Sequence, residues 1–178
     1  STEVPTITIG SFGEADFEHA AETDGMIGIS TVKLIDADGH LTQTEGEVLA
    51  KGPQMFLGYL HDDDNVPSFD DEGFFKTGDI AVLVDGHYLR ISGRLKDIII
   101  RQGENIAPKE IEDLLIQHPD IADVTIVGLP SSKTGEMACA VIVPRGDARP
   151  DVATLRAFLE EKKVAKYKMP EQVALWKE

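Results

Sequence analysis

The chain has 178 residues, 17 Lys+Arg against 32 Asp+Glu, a formal net charge of −15, and 42% hydrophobic residues. That hydrophobic content can build a packed core and excludes a disordered chain, and the length suits one ordinary domain or two small ones. The acidity argues against nucleic acid or anionic lipid as the main partner, and no apolar run approaches the ~18 residues of a membrane helix.

A single cysteine, Cys139, excludes an internal disulfide and a cysteine-rich zinc site, and its apolar neighbours read as a core strand. The first residues, Ser1-Thr2-Glu3-Val4-Pro5, show no basic leader region and no initiating methionine, so the chain reads as starting inside a longer protein. Charge is distributed unevenly. Residues 1–93 carry 4 basic and 18 acidic side chains, whereas residues 94–178 carry 13 and 14. The change falls at Gly93-Arg94 and suggests a domain boundary with a very short hinge, since no Pro/Gly/Ser-rich linker marks it.

The first part reads as β-rich. Ile29–Ile35 alternates apolar and polar residues and ends at the turn Asp36-Ala37-Asp38-Gly39. Glu47–Ala50 predicts a second strand. Asp62-Asp63-Asp64 reads as a solvated loop, because a calcium loop starting at Asp62 would need a closing Glu where Gly73 stands. Asp79–Val84 and His87–Ile91 flank Asp85-Gly86, a type I′ hairpin signal.

The second part alternates strand and helix. Asp97–Arg101 predicts a short strand. Pro108 opens a helix whose Ile111, Leu114, Leu115 and His118 share one face, and Pro119 ends it. Val124–Gly128 and Met137–Val143 predict strands. A second helix spans about Val152 to Val164, with Asp151 as N-cap, Leu155, Phe158 and Leu159 as its buried stripe, and Lys162 and Lys163 at the end where the dipole favours cations. The predicted fold class is therefore α+β.

The common catalytic templates are absent: the sequence holds no GxGxxG, P-loop, GxSxG or HExxH. His19, His40, His61, His87 and His118 show no metal spacing and read as surface or packing residues. Three segments carry chemistry. Phe75-Lys76-Thr77-Gly78-Asp79 places a carboxylate where it can accept two hydrogen bonds from a ribose diol; the plain alternative is a turn that caps a strand. In Gly93-Arg94-Leu95-Lys96-Asp97, Arg94 can pair with a phosphate or form a surface ion pair. Gln102-Gly103-Glu104-Asn105-Ile106-Ala107-Pro108 is a glycine loop feeding a helix, of a kind that lets another backbone approach closely.

In this order the segments resemble the adenylate-forming (AMP-binding) enzymes: acyl-CoA synthetases, peptide-synthetase adenylation domains and firefly luciferase. Ser1-Thr2-Glu3 resembles the end of the family's Tyr-Gly-x-Thr-Glu motif. Gly46-Glu47-Val48, Gly52-Pro53 and Gly58-Tyr59 match the next block, Thr77-Gly78-Asp79 and Gly93-Arg94 the two after it, and Tyr167-Lys168-Met169-Pro170 a late one. Gly93-Arg94-Leu95-Lys96-Asp97 followed by Gly103-Glu104-Asn105-Ile106 is similar to the acyl-CoA synthetase (fatty-acid-CoA ligase) branch.

The resemblance implies the β-rich last subdomain of a large N-terminal domain in residues 1–95 and a mobile, small α+β C-terminal domain in 96–178. It implies a cytoplasmic ligase of fatty acid metabolism that converts a carboxylic acid and ATP to an acyl-adenylate and then transfers the acyl group to CoA. An adenylation domain that loads a carrier protein and a non-catalytic nucleotide- or CoA-binding module are the alternatives. By the same resemblance, Thr2 contacts the adenylate phosphate, Glu3 helps hold Mg²⁺, Asp79 binds the ribose hydroxyls and Arg94 contacts the nucleotide. Lys96 sits at the hinge, and Gly103 and Glu104 line the CoA tunnel. The family's Ser/Thr/Gly-rich phosphate loop is absent and is expected upstream of Ser1. The catalytic lysine is expected beyond Glu178, and Lys166 and Lys168 do not fit its motif. The chain alone is thus expected to be inactive, its partners being the acid, ATP, CoA and the remainder of the N-terminal domain.

Overall fold

The computed structural model describes residues 1–10 and 16–176. It divides into two compact units, Ser1–Leu95 and Lys96–Glu178. Both are built mainly from antiparallel strands with few short helices, an α+β architecture.

The first unit contains β1 (Thr8–Ile9), α1 (Phe17–Glu22), β2 (Met26–Ile27), β3 (Thr31–Ile35), β4 (Leu41–Thr42), β5 (Glu45–Lys51), α2 (Asp62–Ser68), β6 (Phe75–Val84) and β7 (Tyr88–Arg94). Its strands form one sheet in the order β1-β2-β7-β6-β5-β3-β4. Val48, Leu49 and Ala50 are buried in succession, so central β5 is covered on both faces. Leu34, Val48, Ala81 and Leu89 form one cluster of its core, and Val4, Ala50 and Phe75 a second. Gly46 has a steric reason: a Cβ there would stand 2.5 Å from the Ile35 carbonyl oxygen.

Three expectations change in this unit. The β6–β7 loop holds three residues, because the His87 N–H closes onto the Val84 carbonyl and β7 begins at Tyr88. Asp85 and Gly86 keep the positive φ values of the expected turn, 48° and 76°. Asp62-Asp63-Asp64 opens α2 and is not a loop; Asp63 and Asp64 fall in its first turn, where the dipole favours negative charge. Thr77-Gly78-Asp79 lies within β6 and not in a loop ahead of it.

The second unit begins inside a single 3-10 turn, Leu95–Asp97, where a strand was expected from Asp97. It continues with β8 (Ile99–Arg101), β9 (Glu104–Ile106), α3 (Pro108–Leu115), β10 (Ile121–Ser131), β11 (Gly135–Pro144), α4 (Val152–Glu161) and β12 (Gln172–Leu175). The sheet runs β10-β11-β8-β9, with β12 parallel to β11. Pro108 is the first residue of α3, as its missing N–H allows. The helix stops before Pro119 because the Gln117 and His118 N–H groups turn back to the Leu114 and Leu115 carbonyls, a tightened last turn. Asp151 caps α4, accepting from the Thr154 N–H at 2.8 Å. Ile111 and Leu115 of α3 and Leu155 and Leu159 of α4 are fully buried in one core with Ile99, Ile121 and Ile142. Cys139 is buried in β11, and burial raises its thiol pKa. No helix among the described residues is long and apolar enough to cross a membrane.

Candidate nucleotide-facing cleft

The first unit holds a cleft of about 650 Å³ whose lining includes Thr2, Glu3, Glu47, Tyr59, Gly78 and Arg94. Thr2 and Glu3 reach it because Val4, next in the chain, is fully buried and the Phe56 N–H donates to the Glu3 carbonyl. These contacts anchor the N-terminal segment. The Glu3 carboxylate accepts from the Ser1 hydroxyl and from the Tyr59 hydroxyl, the latter at 3.1 Å. The Ser1 hydrogen bond leads in holding the Glu3 pKa below its ordinary value, and Tyr59 adds to it against the effect of burial. Burial, followed by the hydrogen bond to Glu3 and then the Glu3 charge, raises the Tyr59 pKa. At neutral pH the cleft therefore holds a carboxylate beside a neutral phenol. The oxygen donors of Glu3 and Thr2 fit a hard cation such as Mg²⁺.

The opposite wall comes from β6 and β7. Asp79 and Arg94 are paired residues of the ladder, and Arg94 Nε donates to Asp79 Oδ1 at 2.8 Å. The Asp79 side chain is 21% exposed and that of Arg94 55%. Asp79 is outside the cleft lining and joins it through Arg94. The structure thus brings Thr2, Glu3, Asp79 and Arg94 together within the first unit.

Lys96 stands in the 3-10 turn at the start of the second unit. Gly103 and Glu104 also belong to that unit. Gln102 and Gly103, with φ of 53° and 84°, form a two-residue turn between Arg101 of β8 and its partner Glu104 of β9. The segment expected as a glycine loop is thus a hairpin. A Cβ on Gly103 would meet nothing within 4 Å, so the glycine serves the left-handed backbone rather than a close approach within this chain. Glu47 and Tyr59 were not singled out from the sequence. Their only signal was membership of the Gly46-Glu47-Val48 and Gly58-Tyr59 blocks, which carried no role.

The AMP-binding enzyme C-terminal domain family matches residues 110–178. A medium-chain fatty-acid–CoA ligase of Escherichia coli is 38% identical over 159 residues, which cover 86% of this chain and 28% of that protein. A 2,3-dihydroxybenzoate-AMP ligase of Bacillus subtilis is 41% identical over 129 residues, 72% of this chain and 24% of that protein. This chain belongs to the adenylate-forming, AMP-binding enzymes.

Solved structures agree. ATP-bound MatB from Rhodopseudomonas palustris superposes with a TM-score of 0.80 at 31% identity, covering 88% of this chain and 32% of that one. The o-succinylbenzoate CoA synthetase MenE of Bacillus subtilis, in complex with its acyl-adenylate intermediate, gives 0.81 at 28% identity, covering 94% and 34%. This chain spans about a quarter of the length of the first two relatives and about a third of the two structures.

Proposed function

We propose that the chain forms the nucleotide-facing wall and the mobile C-terminal part of an AMP-forming acyl-CoA synthetase. The observation that carries the reading is the Asp79–Arg94 pair beside the cleft that Thr2 and Glu3 enter. In the first half-reaction a carboxylate oxygen of the acid attacks the α-phosphorus of ATP, the new P–O bond gives the acyl-adenylate, and pyrophosphate leaves. In the second, the CoA thiolate attacks the acyl carbon and AMP departs with the electron pair of the broken C–O bond.

Asp79 accepts the ribose hydroxyls, and Arg94 holds that carboxylate in place while presenting positive charge to the nucleotide. The Thr2 hydroxyl donates to the adenylate phosphate. Glu3, kept ionised by Ser1 and Tyr59, would hold Mg²⁺, which neutralises phosphate charge when bound. Lys96 is the hinge that exchanges one set of groups for the other, and the division of the chain between Leu95 and Lys96 supports that assignment. Gly103 and Glu104, on their exposed hairpin, line the path of CoA.

The Gly103-Glu104-Asn105-Ile106 text and the fatty-acid–CoA ligase relative support CoA as the acceptor. A second reading, loading of a carrier protein, is favoured by a salicyl-AMP ligase / salicyl-S-ArCP synthetase of Mycobacterium tuberculosis that is 37% identical over 145 residues. The longer protein encoding this chain separates them. Pyrophosphate exchange across a panel of carboxylic acids finds the substrate, and thioester formation is then followed with CoA and with a phosphopantetheinylated carrier. CoA thioester is the expected product; carrier loading without CoA turnover favours the second reading, and exchange with no acid rejects both.

A further inference from the structure

We infer that Glu47 is a positioning residue, which fixes the turn carrying Asp79 by accepting the Gly78 N–H. The inference rests on the reading of Asp79 as the ribose acceptor.

β5 and β6 pair Glu47 with Ile80 and then Leu49 with Lys76, so Thr77, Gly78 and Asp79 all stand opposite Val48. A bulge of this kind ejects backbone from the ladder and leaves its N–H groups without strand partners, and bulges often re-aim side chains beside active sites. Side chains supply the replacements. The Thr77 hydroxyl donates to the Val48 carbonyl at 2.8 Å and accepts from the Asp79 N–H at 3.1 Å. Glu47 Oε1 accepts from the Gly78 N–H at 3.2 Å.

Two adjacent β5 residues thus fasten the bulge from one side, Val48 by its backbone and Glu47 by its carboxylate. On the other side, Asp79 is fastened to Arg94. Gly78 adopts φ of 70°, the left-handed conformation that carries the chain from Thr77 to Asp79. Its N–H is taken up by Glu47. Glu47 lines the same cleft as Thr2, Glu3 and Arg94. Without its acceptor the bulge can relax toward a regular ladder, and a one-residue slip in a strand moves a side chain to the other face. Asp79 would then leave Arg94, the residue that joins it to the cleft.

The test uses the longer protein that contains this chain, with AMP as the probe. Wild type, Asp79→Ala, Glu47→Ala and Glu47→Gln are titrated with AMP while amide resonances are recorded. Glu47→Ala is expected to weaken AMP binding at least about threefold, the loss of one modest hydrogen bond. Glu47→Gln, whose amide oxygen accepts the same N–H, is expected to recover most of that loss. The Gly78 amide proton should exchange with solvent slowly in wild type and in Glu47→Gln, and faster in Glu47→Ala. A merely structural residue would not give this pair of results.

The outcomes separate the two claims. If Asp79→Ala weakens AMP and Glu47→Ala does not, the positioning role is wrong and the ribose assignment stands. If Asp79→Ala binds AMP as wild type does, or wild type does not bind it, the ribose assignment fails and takes the inference with it. Should Glu47→Ala not fold, a Gly78 amide that exchanges in wild type as fast as an unbonded one still overturns the proposal.

Discussion

Asp79 and Arg94 face each other from paired positions of β6 and β7, their side chains joined at 2.8 Å. With Arg94 half exposed, this ion pair contributes little to folding, about 0–1 kcal/mol. What it does is hold the Asp79 carboxylate against Arg94, which lines the cleft. The two consequences of removing that carboxylate can therefore be told apart.

Asp79→Ala in the longer enzyme should leave thermal stability nearly unchanged. It should lower kcat/KM for ATP in pyrophosphate exchange at least tenfold, since a charge-assisted hydrogen bond contributes ~1.5–3 kcal/mol. An unchanged kcat/KM would remove the ribose assignment, and a large fall in melting temperature would recast Asp79 as a folding residue.

His19 gives a pH prediction. Its Nδ1 lies 2.6 Å from Asp16 and its Nε2 2.8 Å from Asp85, while its ring stacks on Tyr88 with centroids 4.0 Å apart. Both nitrogens face carboxylates, and only the imidazolium carries two N–H donors. The Asp85 hydrogen bond leads, with Asp16 adding to it, in raising the His19 pKa above the usual value despite desolvation. The stabilisation is therefore complete below the unfolded-state pKa and is lost as pH rises through the higher folded value. The melting-temperature gap between wild type and His19→Gln should be wider at about pH 5.5 than at about pH 8.5, on either side of the histidine range. A gap independent of pH would show that the pairing does not depend on the proton.

How far the sequence carried the fold depends on the length of each element. α3 and α4 announce themselves by apolar spacing, by Pro108 at a helix start and by the Asp151 cap, all local signals. β1, β2 and β4 have two residues each, too few to show a period, and exist only through their sheet partners. β12 is fixed by parallel pairing with β11, a non-local contact. The site divides in the same way. Thr2, Glu3, Asp79 and Arg94 were legible through short motifs. Glu47 was not, because its hydrogen bond to Gly78 spans 31 residues and depends on a register shift that no local pattern encodes.

Leu155 tests the second unit's core. It is fully buried between the helices and the sheet, in one cluster with Ile111, Leu115 and Ile142. Leu155→Ala should destabilise this unit by about 2–5 kcal/mol through lost burial and the cavity left behind. The single tryptophan, Trp176, follows β12 and bonds to the Ile142 carbonyl, so its fluorescence reports this unit's denaturant midpoint. A shift below about 1 kcal/mol would mean that the site collapses around the smaller side chain.

Lys96 tests the hinge. It is the middle residue of a 3-10 turn, and the chain divides into its two units immediately before it. If the second unit rotates there between half-reactions, the backbone angles of Lys96 must differ between the two poses. Proline holds φ at about −65°, a value that a 3-10 turn accepts, but it removes the N–H and restricts Leu95 before it. Lys96→Pro in the longer enzyme should therefore separate the half-reactions: pyrophosphate exchange largely survives, while single-turnover acyl transfer to CoA falls steeply. Damage to folding alone would lower both rates together, along with the melting temperature. Measuring both half-reactions and the melting temperature on one preparation distinguishes these cases, and equal losses would remove the hinge while leaving the nucleotide assignment of the first unit intact.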